Sequence, residues 1–379
     1  MNGDRAAGRD RTAYVVLLAL AGVDAAAYSV IAPVVPAIAE ETAAGPGAIG
    51  ALVATFGVGM AIGFALAGRG VQARHASFVL AGSVALMAAG SAGFVVGGSF
   101  TLYVVSRLLM GIGSGGFWIG VTFATLERFP GQEYRRLTGI LAASSIGSLA
   151  GPAFGAIGGI RGPFAAYLVL VVVAGVAVFR LGAPRERPTF SSDRRALRHP
   201  AFWLASAMVL LVALALGTLE GPLPLHFAER LGQREIGAMY VATSLVVALS
   251  AAVAGRLPPR PIVAFATVLV VGGVSLAGAS DSVPLWGVAL LLSGVGFGLG
   301  EAAAIGILLG VVGPERIVLA MVVFSQVWAL GYLAGPAAGG GVAEAFGFAA
   351  IGVVPLTCAT LVAVAFVRSS AWQRAYARS

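Results

Sequence analysis

The sequence predicts an all-α integral membrane protein, with twelve transmembrane helices arranged as two six-helix halves. Three observations carry that expectation. Of 379 residues, 59% are hydrophobic and only 11% are charged, whereas a soluble domain carries about a quarter charged residues. The apolar residues gather into twelve runs of spanning length. Segments of the first half recur in the second at a nearly constant offset.

A helix needs about 20 apolar residues to cross a bilayer. The first run, 12–38, is broken by a single charge, Asp24, near its middle. It is too long for a signal-peptide core and lacks a small-residue cleavage site, so it is read as a retained helix. Runs 47–68 and 76–97 follow, joined by a short basic loop. The fourth, 100–126, encloses Arg107. The fifth, 136–160, is rich in glycine, and 163–181 closes the first half. The longest polar stretch, "GAPRERPTFSSDRRALRH" (182–199), then divides the runs six and six. The second half reads 200–226, 236–254, 261–279, 283–311, 317–343 and 347–367. The expected organisation is therefore an N-terminal bundle over 1–181, a cytoplasmic linker over 182–199 and a C-terminal bundle over 200–379. No room is left for a soluble domain.

All 24 basic residues are arginine. With both termini placed in the cytoplasm, twenty fall on the inner side, three (Arg161, Arg230, Arg234) fall outside, and Arg107 lies within a span. This is a strong positive-inside bias and predicts a multi-pass protein of the plasma (inner) membrane. The net charge of +8 is spread over short loops and forms no nucleic-acid patch. The lone Cys358 excludes an intramolecular disulfide. Without lysine there is no GxxxxGK[ST] phosphate loop, so an ATP-driven pump is disfavoured. His75, His199 and His226 show no metal-ligand spacing, and no cofactor or metal is expected. A receptor or scaffold would need no buried carboxylates and would bring a signalling domain. "GIGSGG" (111–116) and "GVGFGLG" (294–300) brush against dinucleotide fingerprints, but they lie in spans with no preceding strand.

"VATFGVGMAIGFALAGR" (53–69) resembles "VATSLVVALSAAVAGR" (241–256), "LAGPAFG" (149–155) resembles "LAGPAAG" (333–339), and "GIGSGG" loosely matches "GVGFGLG". The offsets run from 183 to 188 residues. Parallel six-helix repeats are one transporter architecture, with the substrate site between the halves.

The motifs point the same way. "GSLAGPAFGAIGG" (147–159), its second copy "GYLAGPAAGGG" (331–341) and "SRLLMGIGSGG" (106–116) resemble motifs of the major facilitator superfamily, along essentially the whole chain. The first two resemble the glycine–proline motif of its drug:proton antiporter branch. Three further segments look like those of multidrug efflux proteins and vesicular amine transporters: "VDAAAYSVIAPVVPAI" (23–38), "GTLEGPLPLHFAERLG" (217–232) and "GLGEAAAIGILLG" (298–310). That resemblance implies a monomeric secondary transporter working by alternating access. It departs from the pattern at the loop after the second span. There "GFALAGRGVQAR" (63–74) keeps Arg69 and Arg74 but has Gly68 where the family carries an aspartate.

Asp24, Glu220 and Glu301 are the acids that lie well inside spans, joined by Arg107. Intramembrane ionisable groups face a bundle interior or a water-filled cavity. All four ionised in one cavity would sum to −2. At least one carboxyl is therefore expected to hold a proton when the cavity is empty. A cationic substrate would displace that proton, and an incoming proton would displace the substrate. The alternative for Asp24 is a structural pair with Arg107 or a bond to freed backbone. Tyr28, Trp118, Phe297, Trp328 and Tyr332 are the aromatic candidates for pocket walls. Gly147, Gly151 and Gly155 share one helix face and permit close packing. Pro152 should bend its helix, and Gly335 and Pro336 repeat the arrangement. The expectation is export of a small cationic or amphipathic compound in exchange for protons. The runner-up keeps the fold and reverses direction, as proton-coupled nutrient uptake. The glycine–proline motif weighs against it.

Overall fold

The computed structural model describes residues 2–73, 76–129, 131–178, 197–254, 259–312 and 317–368. Arg74 and most of the 182–199 linker lie outside the described residues. Among the described residues fourteen α-helices follow one another: α1 (Asn2–Ser29), α2 (Ile31–Thr42), α3 (Pro46–Ala73), α4 (Ala76–Val96), α5 (Phe100–Arg128), α6 (Glu133–Gly155), α7 (Arg161–Val178), α8 (Pro200–Glu220), α9 (Leu223–Phe227), α10 (Gln233–Ala254), α11 (Pro259–Ala279), α12 (Val283–Val311), α13 (Ile317–Phe346) and α14 (Val353–Arg368). A 3-10 turn, Phe348–Ala350, precedes α14. The described residues contain twelve stretches long and apolar enough to cross a membrane, from Asp10–Thr42 to Phe348–Ala365. The twelve-span, all-α expectation is met.

Two spans expected as unbroken are in fact broken, each at a proline-rich segment. The first divides at Val30 into α1 and α2. Pro33 has no N–H to give to Ser29 and its ring crowds that carbonyl. The seventh divides after Glu220, where Gly221, Pro222 and Pro224 interrupt the ladder before α9. Prolines inside α6 (Pro152) and α13 (Pro336) do not end their helices.

By mutual contacts the chain forms two compact units. Unit 1 comprises Met1–Ala44, Thr55–Thr189 and Leu231–Ser244. Within it α4 packs on α5 and α7, and α1 on α6. Unit 2 comprises Gly45–Ala54, Phe190–Arg230 and Leu245–Ser379. Within it α8 packs on α13 and α12, and α11 on α12. The first turns of α3 thus cluster with α13 and those of α10 with α6. Glycine permits these approaches. In α5, a methyl group at Gly111 or Gly115 would strike the backbone of Phe56 or Met60 in α3. In α12, one at Gly298 would strike Val247 in α10. The repeated "GIGSGG" and "GVGFGLG" segments are therefore helix-packing faces. Large apolar side chains such as Val169 and Val173 of α7, Val268 of α11 and Leu361 of α14 point outward, as required where the solvent is hydrocarbon.

Candidate functional site

In unit 1 the break between α1 and α2 positions the polar groups. Asp24 lies six residues before it, 1% exposed. Both of its carboxylate oxygens are buried without a hydrogen-bond partner among the described residues. Ser114 and Trp118 of α5 face it, and neither closes to hydrogen-bond geometry on it. Arg107, fully buried on the same helix, reaches the open end of α1. Its Nη1 donates to the Ala27 carbonyl (2.8 Å) and its Nη2 to the Tyr28 carbonyl (3.0 Å). The guanidinium lies over Phe56, 4.3 Å from the ring centroid. Basic side chains commonly satisfy the last carbonyls of a helix in this way. The Asp24 oxygens themselves make no bond to the freed backbone among the described residues; it is Arg107 that bonds the carbonyls at the end of α1. Tyr167 of α7 is fully buried nearby and feels the charges of Asp24 and Arg107.

The glycine–proline segment of α6 is the seat for this break. A methyl at Gly147 would strike Gly22. One at Gly151 would meet Ser29, with Val30 N at 2.8 Å and Ala26 O at 2.9 Å. At Gly155 it would stand 2.9 Å from both Val30 O and the Pro33 ring. The three glycines let α6 lie directly on the interrupted backbone of α1 and α2.

Unit 2 repeats the design. Glu220, 3% exposed, is the last residue of α8. Its Oε2 accepts from the Tyr332 hydroxyl at 2.6 Å. The Tyr332 ring is stacked on Trp328, with centroids 5.1 Å apart and planes 7° from parallel. The second glycine–proline copy again seats the broken helix. A methyl at Gly335 would strike Leu214, and Gly217 and Gly221 stand against the Pro336 ring. Thr218 Oγ1 donates to Gly335 O at 3.1 Å. Phe297 is buried on α12, and Glu301 is half-buried one turn further on.

The structure thus gathers Asp24 with Trp118, places Tyr28 and Arg107 at the end of α1, and joins Glu220 to Tyr332 and Trp328. Glu301 and Phe297 share α12. Arg69 is exposed, and Gly68 faces open space. Sequence reasoning did not single out Ser114, Tyr167, Thr218 or Gln233. Gln233, the first residue of α10, donates from Nε2 to Gly155 O (2.7 Å) and Gly159 O (2.9 Å) and accepts from Gly159 N (2.8 Å). Ser114 and Thr218 lie inside quoted segments; Tyr167 and Gln233 carried no signal in the sequence. No group of three or more metal-ligating side chains occurs among the described residues.

The twelve apolar spans among the described residues, with carboxylates buried at two proline-broken helices and a glycine seat for each break, define a multi-pass membrane protein. The chain belongs to the major facilitator superfamily, whose model matches residues 17–257, more than half of its length. It is 25% identical over 294 residues to the synaptic vesicular amine transporters of Homo sapiens and Mus musculus, across 71% of this chain. It spans just over half the length of those relatives, 57% and 56%. Among solved structures it is similar to a bacterial homolog of the human lysosomal transporter Spinster, with a TM-score of 0.73 and 14% identity, covering 89% of this chain and 83% of that one. It is also similar to the nucleoside transporter NupG, with a TM-score of 0.71 and 14% identity, covering 94% and 99%. At such identities these structures speak for the fold alone.

Proposed function

We propose that the protein is a proton-driven antiporter that exports a small cationic or amphipathic compound, of the drug or amine type, across the plasma (inner) membrane. The observation that carries this reading is the Asp24 carboxylate, buried with no hydrogen-bond partner among the described residues. An ionised carboxylate in that setting is costly. The cost falls when a proton or a cation occupies it, and a site that holds either but not both exchanges one for the other. Glu220, held by Tyr332, and Glu301 are the companion carboxyls in this scheme. Trp118, Tyr28, Phe297 and Trp328 supply aromatic surface for an organic cation. The likeness to vesicular amine transporters supports a cationic substrate, and the glycine–proline segments support the antiporter branch. In this reading the protein works as a monomer, with both termini cytoplasmic. The six-helix halves, 1–181 and 200–379, rock about the breaks seated on Gly151 and Gly335.

The test is uptake into proteoliposomes under an imposed pH gradient, using a panel of cationic, neutral and anionic compounds. Gradient-dependent, saturable accumulation confined to amphipathic cations is the expected result. Transport indifferent to substrate charge would overturn the reading, and accumulation in the same direction as the proton would replace it with symport.

A further inference from the structure

His226 lies on α9, six residues past Glu220, and is 5% exposed. Its ring is surrounded by oxygen acceptors. Nδ1 stands 3.3 Å from Glu229 Oε1. Nε2 stands 3.0 Å from the Ser280 carbonyl and 3.7 Å from Asp281 Oδ1. A carbonyl and two carboxylates have no N–H or O–H to give when the acids are ionised. A neutral imidazole carries one N–H and one lone pair. Either neutral tautomer would therefore turn a lone pair toward an oxygen. Imidazolium, with two N–H groups, donates in both directions at once.

The rest of the environment fits a cation as well. The ring lies against Phe348 with centroids 4.9 Å apart and planes 18° from parallel, within the range at which an aromatic face attracts positive charge. The Trp286 ring meets it edge-on at 5.1 Å, and the Trp286 indole N–H donates to the same Ser280 carbonyl. The ion-pair contacts made by the ring are those to Glu229 and Asp281, whose side chains are 57% and 77% exposed. The α12 helix and the 3-10 turn contribute aromatic rings. His226 thereby joins three connections of unit 2: the α8–α10 segment, the turn between α11 and α12, and the turn between α13 and α14.

We propose that His226 is a proton-binding site whose imidazolium clasps these three connections, and that loss of the proton opens one arm of the clasp. The proton comes from the aqueous phase to which Glu229 and Asp281 are exposed. Since α9 follows directly on Glu220, the state of the clasp sets how firmly the outer end of the broken helix is held. The inference adds a proton site outside the three span carboxylates and does not depend on their role.

The experiment uses the full chain in lipid nanodiscs with ring-15N histidine, the His226 signal being assigned by its absence in a His226→Gln protein. The expected result is a ring protonated on both nitrogens at about pH 5 that becomes neutral as the pH is raised toward about 8. A Glu229→Gln, Asp281→Asn double variant changes exposed side chains only and should shift the titration. A single neutral tautomer throughout that range, or a titration unmoved in the double variant, would overturn the proposal. If His226 titrates while transport ignores the pH gradient, the clasp stands and the antiport reading falls. If the ring stays neutral while the gradient drives transport, the clasp falls and antiport stands.

Discussion

The Tyr332 hydroxyl donates to Glu220 across 2.6 Å of buried space, tying α13 to the last residue of α8. Trp328 stacked on the tyrosine holds the ring in place. Hydrogen bonds to charged groups contribute about 1.5–3 kcal/mol. Tyr332→Phe keeps the ring and removes the donor, so gradient-driven transport should weaken by roughly ten- to a hundredfold. The emission of Trp328 should be unchanged if the stack survives. Substrate titration of proteoliposome uptake, read beside that fluorescence, separates the lost bond from a collapsed site.

Asp24→Asn keeps the volume at a 1% exposed position and removes the charge. The antiport scheme requires that the variant fold, insert and lose transport driven by the pH gradient. Uptake under an imposed gradient measures this directly. A variant with full proton-driven transport would remove Asp24 from the exchange chemistry.

Arg107 makes a separate prediction because its partners are carbonyl groups of α1. Its two nitrogens cap Ala27 and Tyr28 together. A lysine offers a point charge and no fork. Arg107→Lys should therefore leave one of the two carbonyls unsatisfied, at a cost of about 1–3 kcal/mol. Thermal unfolding of the purified protein in detergent reads this out. An unchanged unfolding temperature would show that the cap contributes nothing.

The twelve spans were legible because hydropathy alone reports them, and the repeats because "LAGP" and its neighbours recur in plain sequence. The breaks at Val30 and Glu220 were visible only as prolines. Whether a proline bends, breaks or merely sits in a helix depends on what supports the freed carbonyls, as Pro152 and Pro336 inside continuous helices illustrate. Asp24, Glu220 and Arg107 stood out because charge is scarce in an apolar run. Tyr167 and Thr218 did not, since a tyrosine or threonine is ordinary in a membrane helix and only its neighbours make it polar machinery. Gln233 begins a span beside Arg234, where a polar residue is unremarkable. Its three bonds to the turn after α6 depend on folding that no local pattern encodes.

The glycine seat can be tested against a control on the same chain. A methyl at Gly151 would stand within 3 Å of Val30 N and Ala26 O, whereas one at Gly82 has nothing within 4 Å. Gly151→Ala should destabilise by about 1–3 kcal/mol through overpacking. Gly82→Ala should stabilise by about 0.5–1 kcal/mol through helix propensity. Paired unfolding curves give both numbers, and equal effects at the two positions would refute the seat.

The first turns of α3 and α10 carry matching polar clamps. Gln233 binds the Gly155 carbonyl and both backbone groups of Gly159, and the Gly47 amide donates to Glu344 Oε2 at 2.7 Å. Gly47 and Gln233 are 186 residues apart, inside the offsets of the sequence repeat. Each clamp fixes the start of one helix to the far end of a glycine–proline helix, α10 to α6 and α3 to α13. Each also gives a private amide to watch. Gln233→Ala removes the acceptor of the Gly159 N–H, and Glu344→Ala removes that of Gly47. A typical intramolecular hydrogen bond contributes about 0.5–1.5 kcal/mol, so protection of the affected amide from exchange should fall roughly two- to tenfold in each variant. Gln233→Ala should leave Gly47 as it was, and Glu344→Ala should leave Gly159 as it was, because the two clamps share no atom. Amide exchange followed by mass spectrometry on the reconstituted protein resolves the two segments. Protection unchanged at both sites would mean that backbone packing alone holds α3 and α10 in place.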